Sequence, residues 1–227
     1  MIMNKLNVFS QNVYKNSLIV NSILKTRNNF DIILIQEPLW SIIQLIPSSA
    51  SSEGEVLVGA PHHPNWLLFT RLSPIQSDYP RVMAYINIRL FHLQFSLCRD
   101  IINHRNILLI SFFSNNVCYS IMIIYSDAFH STLKYLKDTE ANIDNLIIMT
   151  GNFNIRDSLW DPSFPHHSLI SDDLFIIVDS FNLDLSIPTN PIPTRYSDTL
   201  GVSDSVLDLM FLHSDSSKLN QHAIHPS

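Results

Sequence analysis

Amide and carboxylate side chains stand at the ends of several apolar segments in this sequence. Asn12, Glu37, Asn152 and Asn154 follow segments typical of buried strands, and Asp208 lies inside another such segment. Buried strands of layered α/β folds point their terminal side chains at a shared edge, so we expect these oxygens to lie close together. A hard cation such as Mg²⁺ accepts oxygen ligands of this kind and keeps several waters. The pattern therefore predicts a divalent-metal site, although each residue alone would be an ordinary turn or strand position.

The segments that must position these side chains are short and almost continuously apolar, which is typical of strands buried on both faces. They cover Lys5–Asn12, Asp31–Gln36, 145–150 and 205–212. Between 56 and 126, β-rich segments alternate with Pro, Asp and Asn residues, as in a sheet of sequential strands. These patterns predict a mixed α/β (α+β) fold in which two sheets pack together.

Helical spacing of apolar residues is found between the predicted strands. It predicts a short helix capped by Ser17, a second helix from about Ser131 and a third over Asp172–Phe181. The Ser-rich stretch 41–55 is predicted to be a loop. Because there is no repeat, charge block or clear linker, we expect residues 1–227 to form one domain in which helices flank the sheets.

The composition limits the function classes that need to be considered. Of the 227 residues, 46% are hydrophobic and 15% are charged, and the formal net charge is −6. Such a chain is globular, but it lacks the overall basic charge that attracts nucleic acid. The arginines could still converge into a local basic rim, although we interpret them as ordinary surface charges. They include Arg71, Arg81, Arg89, Arg99, Arg105 and Arg156.

Other features of the sequence concern the cellular compartment. The first residues lack the apolar stretch of a signal peptide, and no apolar run is long enough to span a bilayer. The cysteines, Cys98 and Cys118, are too few for a disulfide framework. We therefore expect an intracellular protein that does not bind membranes. The adjacent histidines at 62–63 and 166–167 are interpreted as loop residues, since they lack the partners of a zinc site.

Five motifs occur in an order that resembles a known family. They are FSQNV, DIILIQEP, IIYSDAFHS, MTGNFNIRDSLWDP and SVLDLMFL. This series resembles the endonuclease/exonuclease/phosphatase family. The tract GNFNIRDSLWDPSFPHHS, with PTNPIPTRYS further on, resembles the endonuclease domain of fungal non-LTR, LINE-like retrotransposons. The resemblance implies a four-layer αββα sandwich of two mostly antiparallel sheets. It also implies hydrolysis of DNA phosphodiester bonds with Mg²⁺ or Mn²⁺.

The resemblance gives roles to individual residues of this sequence. Glu37 matches the principal metal ligand, and Asn12 matches the asparagine that helps to hold the metal and phosphate. Tyr125 falls where the family has a tyrosine in contact with the scissile phosphate. Asn154 matches a stabiliser of the transition state, and Asn152 stands where the family has the aspartate that orients or deprotonates the attacking water.

Further positions belong to the last third of the chain. Asp208 matches the aspartate that orients a catalytic histidine, and Thr194 lies near a threonine of the family's substrate rim. Arg156 and Trp160 lie in the second half of the motif MTGNFNIRDSLWDP and are predicted to bind substrate. A core position is the alternative for Trp160.

Two departures from the family pattern point to impaired catalysis. Asn152 replaces the aspartate, and an amide cannot accept a proton at neutral pH. The family also ends in a Ser-Asp-His element, whereas no Ser-Asp pair of this sequence is followed by His. We therefore expect a domain truncated at its C-terminus that lacks the last strand, with the strand around Val206–Phe211 left at a sheet edge.

The sequence supports two hypotheses about function. The first is an impaired, metal-dependent endonuclease of a retroelement that binds Mg²⁺ or Mn²⁺ weakly, acts on DNA in the nucleus and belongs beside a reverse transcriptase domain. The alternative is a catalytically dead remnant that at most binds nucleic acid weakly.

Overall fold

The computed structural model describes residues 6–46, 55–71, 79–139, 141–186, 193–195 and 204–214. A first group of elements contains strands β1 (Val8–Asn12), β2 (Ile32–Gln36), β3 (Ser41–Ile46), β4 (Glu55–Gly59), β5 (Trp66–Phe69) and β6 (Val82–Asn87), with helix α1 (Ser17–Thr26). A 3-10 helix, Ile88–Leu93, then leads to β7 (Ser96–Leu97), β8 (Ile107–Ser114), β9 (Val117–Tyr125), α2 (Ser131–Thr139), β10 (Leu146–Asn152), α3 (Leu169–Ser180), β11 (Leu183–Leu185) and β12 (Asp208–His213).

The strands form two large mixed sheets and a hairpin. The first sheet has the order β1-β2-β6-β5, and the second has the order β11-β12-β10-β9-β8-β7. Only the β1–β2 and β9–β10 pairs are parallel; the other pairs of these sheets are antiparallel. The two parallel pairs give each sheet neighbouring strands whose carboxyl ends lie side by side, and these ends carry the predicted site residues.

The apolar side chains divide into three clusters that define the layers. One cluster lies between the sheets and includes Ile32 and Leu34 of β2 with Ile121 and Ile123 of β9. A second joins the outer face of the first sheet to α1, and a third joins the outer face of the second sheet to α2 and α3. Because strands such as β2 and β9 bury both faces, their sequences are continuous apolar runs. The predicted four-layer αββα sandwich is confirmed.

Local details correct several predictions. Asn16, rather than Ser17, caps α1, and its side chain accepts hydrogen bonds from the backbone N–H groups of Leu18 and Ile19. Residues 41–55 are not a plain loop, because Ser41–Ile46 pairs with Glu55–Gly59 in an antiparallel hairpin. Helix α3 begins three residues before the predicted start, at Leu169.

The predicted free edge at β12 is wrong. Strand β12 pairs with β10 on one side and with β11 on the other, with Leu183 opposite His213 and Leu185 opposite Phe211. Ser186 N–H continues this pairing to the carbonyl of Met210 at 2.8 Å. The predicted loss of a final strand concerns residues beyond Ser214, which lie outside the described residues. Among the described helices, none has the length and apolar content that crossing a bilayer requires.

Candidate active site

The predicted site residues of the second sheet lie side by side on three neighbouring strands. Asn152 ends β10, where it is opposite Tyr125 of parallel β9 and opposite Asp208 of antiparallel β12. In the first sheet, Asn12 ends β1 directly beside Gln36, the residue before Glu37. The strand ends therefore place Tyr125, Asn152 and Asp208 side by side in one sheet, and Asn12 beside Gln36 in the other.

Glu37 is fixed by both its backbone and its side chain. Its φ of 48° places it in the left-handed region, which is uncommon for a residue other than glycine. Its N–H donates to the carbonyl of Arg81 at 2.8 Å. Its carboxylate accepts from Asn12 Nδ2 at 3.1 Å on one oxygen and from Arg81 Nη2 at 2.6 Å on the other. This network holds Glu37 at the open end of the sheets.

Asn12 donates a hydrogen bond to the carboxylate of Glu37. Its side chain is 2% exposed, and its Oδ1 accepts a hydrogen bond from the backbone N–H of Tyr14 at 3.0 Å. Because its NH₂ group then points at the carboxylate of Glu37, the described contacts give Asn12 an orienting role. Its contribution to a metal site stays a prediction.

Tyr125 connects the two sheets. The guanidinium carbon of Arg81 lies 3.7 Å from the centre of the Tyr125 ring. Burial and the negative charge of Glu37 raise the pKa of the Tyr125 hydroxyl, while the charge of Arg81 and a hydrogen bond with Asn154 act in the opposite direction. The hydroxyl is therefore a proton donor at neutral pH, within reach of both Glu37 and Asn154.

Asn152 and Asn154 are held in a tight turn after β10. Asn152 Oδ1 accepts from the N–H of Asn154 at 3.0 Å, and Asn154 Nδ2 donates to the carbonyl of Ser126 at 2.5 Å. Asn154 has a φ of 52°. Before the turn, Gly151 has a φ of 144°, and a Cβ there would lie 1.9 Å from the carbonyl oxygen of Ile124. Only glycine allows β9 and β10 to approach this closely.

Asp208 is a buried carboxyl group with incomplete pairing. Burial raises the pKa of Asp208 to about 7, although hydrogen bonds with Thr194 and Asn152 oppose this change. Its Oδ1 has no hydrogen-bond partner among the described residues. Thr194 Oγ accepts from the N–H groups of Leu207 and Asp208 at 2.9 and 3.0 Å.

The predicted substrate-binding residues have other positions. Thr194 is 4% exposed and supports Asp208 rather than forming a surface. Trp160 is 2% exposed and packs in the core, with its Nε1 on the carbonyl of Ile155 at 3.3 Å, which corresponds to the core alternative. Arg156 donates to the buried carboxylate of Asp161 at 2.9 Å. Its role in binding substrate stays a prediction.

The donor set suits a divalent ion that keeps most of its waters, because it offers few protein ligands. The described residues contain no group of three or more His, Cys, Asp and Glu side chains that could hold a metal. Glu37 supplies a carboxylate at the open end of the site, Asn152 is neutral, and Asp208 is buried. Mg²⁺ is commonly bound through one or two carboxylates with several waters. The chemistry of this set therefore allows a weakly held, mostly hydrated ion.

One residue of the site was interpreted only as a surface charge from the sequence. Arg81 contacts Glu37, which lies 44 residues earlier in the chain, and Tyr125, which lies on the other sheet. No local motif around Arg81 signals these contacts. Its position directly before the apolar strand β6 is the one signal that could have suggested it, because other site residues also lie at strand ends.

Comparisons with known proteins bear on the fold. No protein-family model and no curated protein match the chain. Among solved structures, the endonuclease domain of TRAS1, a telomere-specific non-LTR retrotransposon, matches with a TM-score of 0.59 and 16% identity, over 92% of this chain and 86% of that one. An endonuclease/exonuclease/phosphatase family protein from Leptotrichia buccalis C-1013-b matches with a TM-score of 0.51 and 12% identity, over 91% and 87%.

At such identities the matches concern the architecture. Both solved structures share most of their length with this chain, so the likeness covers the whole sandwich rather than one motif. It agrees with the fold that the sequence resemblance implied. The chain has the fold of the endonuclease/exonuclease/phosphatase family.

Proposed function

We propose that this chain is a nuclease-like phosphodiesterase domain whose catalysis is impaired. The observation that carries the proposal is the meeting of Glu37, Tyr125, Asn152, Asn154 and Asp208 at one end of the sandwich. These side chains combine a carboxylate for a cation with hydroxyl and amide donors for an anion. Such a pairing suits a phosphodiester, whose charge must be balanced while its phosphorus is attacked.

The roles follow from the contacts of each side chain. Glu37, oriented by Asn12, would hold a divalent ion, which when bound supplies Lewis-acid stabilisation of the phosphate. The Tyr125 hydroxyl and the Asn154 amide would donate to phosphate oxygens. Asn154 is suited to this because its turn and its bond to Ser126 fix the direction of its NH₂ group.

Impairment is proposed from two features of the acid–base apparatus. The Asn152 amide can bond a water molecule but cannot take its proton, and loss of a positioned base costs about 10²–10⁴-fold. The Oδ1 of Asp208 is suited to an imidazole N–H, and it has no hydrogen-bond partner among the described residues. The proposed site therefore binds a phosphodiester better than it cleaves one.

DNA is the proposed substrate, in the context of a retroelement with a reverse transcriptase domain, acting in the nucleus. One feature of this chain favours a polynucleotide over a small phosphodiester. Phe129 is 92% exposed in the loop after Tyr125, and its N–H donates to Asp127 at 3.0 Å. An aromatic ring held outward beside a phosphate site can stack on an unpaired base.

A catalytically dead remnant that binds nucleic acid is the second candidate. The contact between Arg81 and Glu37 favours it, because a guanidinium 2.6 Å from the carboxylate opposes the entry of another cation. The two candidates differ in a single measurable property, the metal-dependent cleavage of DNA.

Nicking of supercoiled plasmid with Mg²⁺ or Mn²⁺ distinguishes the candidates, with EDTA and Glu37→Ala as negative controls. Asp173→Ala, which removes an exposed carboxylate from the α3 surface, is the matched control. Impaired catalysis predicts slow, EDTA-sensitive nicking that Glu37→Ala abolishes and Asp173→Ala preserves. Calorimetry should give millimolar Mn²⁺ binding that requires Glu37. Micromolar Mn²⁺ binding that survives Glu37→Ala would overturn the site assignment.

A further inference from the structure

Arg81 lies in the cluster of strand-end residues that includes Glu37 and Tyr125. Its backbone joins two elements, since its N–H donates to the carbonyl of Arg105 and its own carbonyl accepts from Glu37, both at 2.8 Å. Its guanidinium lies between the carboxylate of Glu37, at 2.6 Å, and the ring of Tyr125, at 3.7 Å. The side chain is thus pinned on two sides while 25% of it stays exposed.

Among the described residues, Glu37 is the one acceptor that this guanidinium bonds. Nη2 donates to Glu37, and Nε and Nη1 make no hydrogen bond to any residue that the structure describes. Arginine has five N–H donors in a rigid plane and no acceptor, so the remaining donors require water or an anion. Because the guanidinium lies 3.7 Å from the centre of the Tyr125 ring and is bonded to Glu37, its position is restricted before any ligand arrives.

The chemistry of the surroundings selects the ligand. Glu37 balances the charge of Arg81 on one side, and Tyr125 and Asn154 place neutral donors nearby. A ligand that accepts from all of these groups must carry several oxygens and negative charge. A phosphate diester meets this requirement, and the planar edge of a guanidinium matches two of its oxygens.

We propose that Arg81 is a phosphate-binding residue, whose unused N–H donors hold a non-bridging oxygen of the phosphodiester that contacts Tyr125. This inference rests on the proposed function and names a residue of the same site. In a chain with a formal net charge of −6, this guanidinium places a cationic group beside the proposed phosphate position. Phosphate binding at this point does not require catalysis, so an impaired domain would keep it.

The test measures fluorescence anisotropy of a labelled single-stranded oligonucleotide with the full chain, in EDTA and at several salt concentrations. Arg81→Gln should weaken binding about tenfold, the value of a charge-assisted hydrogen bond. It should also make the salt dependence shallower, reducing the magnitude of the slope of log K against log salt by about 0.7, the contribution of one phosphate contact on a single strand. Arg81→Lys should keep the slope and lose part of the affinity, since the charge stays and the planar fork is lost.

Lys137→Gln is the matched control, because it removes one positive charge from an exposed ion pair with Asp173 on the helical layer. It should leave both affinity and slope unchanged. A slope unchanged by Arg81→Gln would overturn the inference, even if affinity falls, because the loss would then come from disturbed structure. If Arg81→Gln does not fold, Arg81→Lys replaces it, and a shallower slope of log K against log salt in that variant would overturn the inference. Absence of binding by the unaltered chain would overturn the proposed function as well.

Discussion

The two ends of the β2–β6 pair carry the same kind of contact and use it differently. At one end Asp31 pairs with Arg89 at 2.8 Å, and at the other Glu37 pairs with Arg81 at 2.6 Å. Arg89 also donates to the carbonyls of residues 28–30, while Asp31 accepts from the N–H of Asn7 at 2.8 Å. Within the described part of the chain, the guanidinium of Arg81 donates one hydrogen bond, to Glu37, and contacts the ring of Tyr125.

This difference separates a structural ion pair from one that can receive a ligand. At the Asp31 end, each nitrogen of the guanidinium has a protein partner, so the pair closes the ends of β1, β2 and β6. At the Glu37 end, Nε and Nη1 of Arg81 have no partner among the described residues and are available to a molecule from solution. An ion pair in a structure is therefore informative about function only when the remaining donors and acceptors of both groups are also considered.

The largest expected effect concerns chemistry at the Glu37 end. We expect that Asn152→Asp alone does not produce efficient nicking, because Asp208 Oδ1 has no partner among the described residues that could act with it. The same substitution combined with a C-terminal extension that bears Ser-Asp-His should raise Mg²⁺-dependent plasmid nicking by about 10²–10⁴-fold. In that repaired protein, Glu37→Gln should abolish nicking, and Asp31→Asn should leave the rate per folded molecule unchanged. Efficient nicking by Asn152→Asp alone would contradict the assignment of Asp208.

The next effect concerns stability, where the Asp31 end should be more important than the Glu37 end. Asp31→Ala leaves Arg89 and the N–H of Asn7 without their carboxylate, so we expect a loss of about 2–3 kcal/mol in the free energy of unfolding. Glu37→Ala removes the acceptor of two donors, Arg81 Nη2 and Asn12 Nδ2, whereas Asp31 accepts from three, so it should cost less, about 1 kcal/mol. Urea unfolding followed by circular dichroism measures both values. A greater loss for Glu37→Ala would show that the Glu37 end is the structural one.

A smaller effect is expected from the pH dependence of Asp208. Its folded pKa of about 7 lies above the ordinary 3.8, so the folded protein holds a proton that the unfolded chain has lost. The contribution of Asp208 to stability is therefore constant below its unfolded pKa of 3.8, and it decreases as the pH rises from there towards 7. Asp208→Asn removes this cost, and its stability relative to the unaltered chain should increase by about 1–2 kcal/mol between roughly pH 5 and pH 7. A difference that is constant with pH would contradict the raised pKa.

The strands and the meeting of the site residues could be predicted from the sequence. Continuous apolar runs such as Asp31–Gln36 have few interpretations other than buried strands, and the polar residues at their ends share an edge by geometry. The hairpin of β3 and β4 was missed because serine-rich sequence favours a loop. The short strand β11 was missed because three residues carry little periodicity.

The contacts of the arginines could not be predicted in this way. Arg81 and Arg89 both flank β6, and nothing local distinguishes the one with unused donors from the one that is fully paired. Trp160 presented a similar difficulty, because a tryptophan after a site motif suits a substrate surface as well as a core. In each case the outcome depends on groups that the fold brings from other strands and helices.

Gly151 and Asn152 are neighbours that should tolerate substitution very differently. Any side chain at 151 meets the carbonyl oxygen of Ile124 at 1.9 Å, so replacement would disturb the β9–β10 pair whether or not the protein has an activity. Aspartate and asparagine have nearly the same shape, so the exchange at 152 leaves packing intact and changes only charge and proton affinity. A screen for folding would thus reject changes at 151 and overlook those at 152. A copy of such a domain can lose its chemistry at this position while its architecture persists.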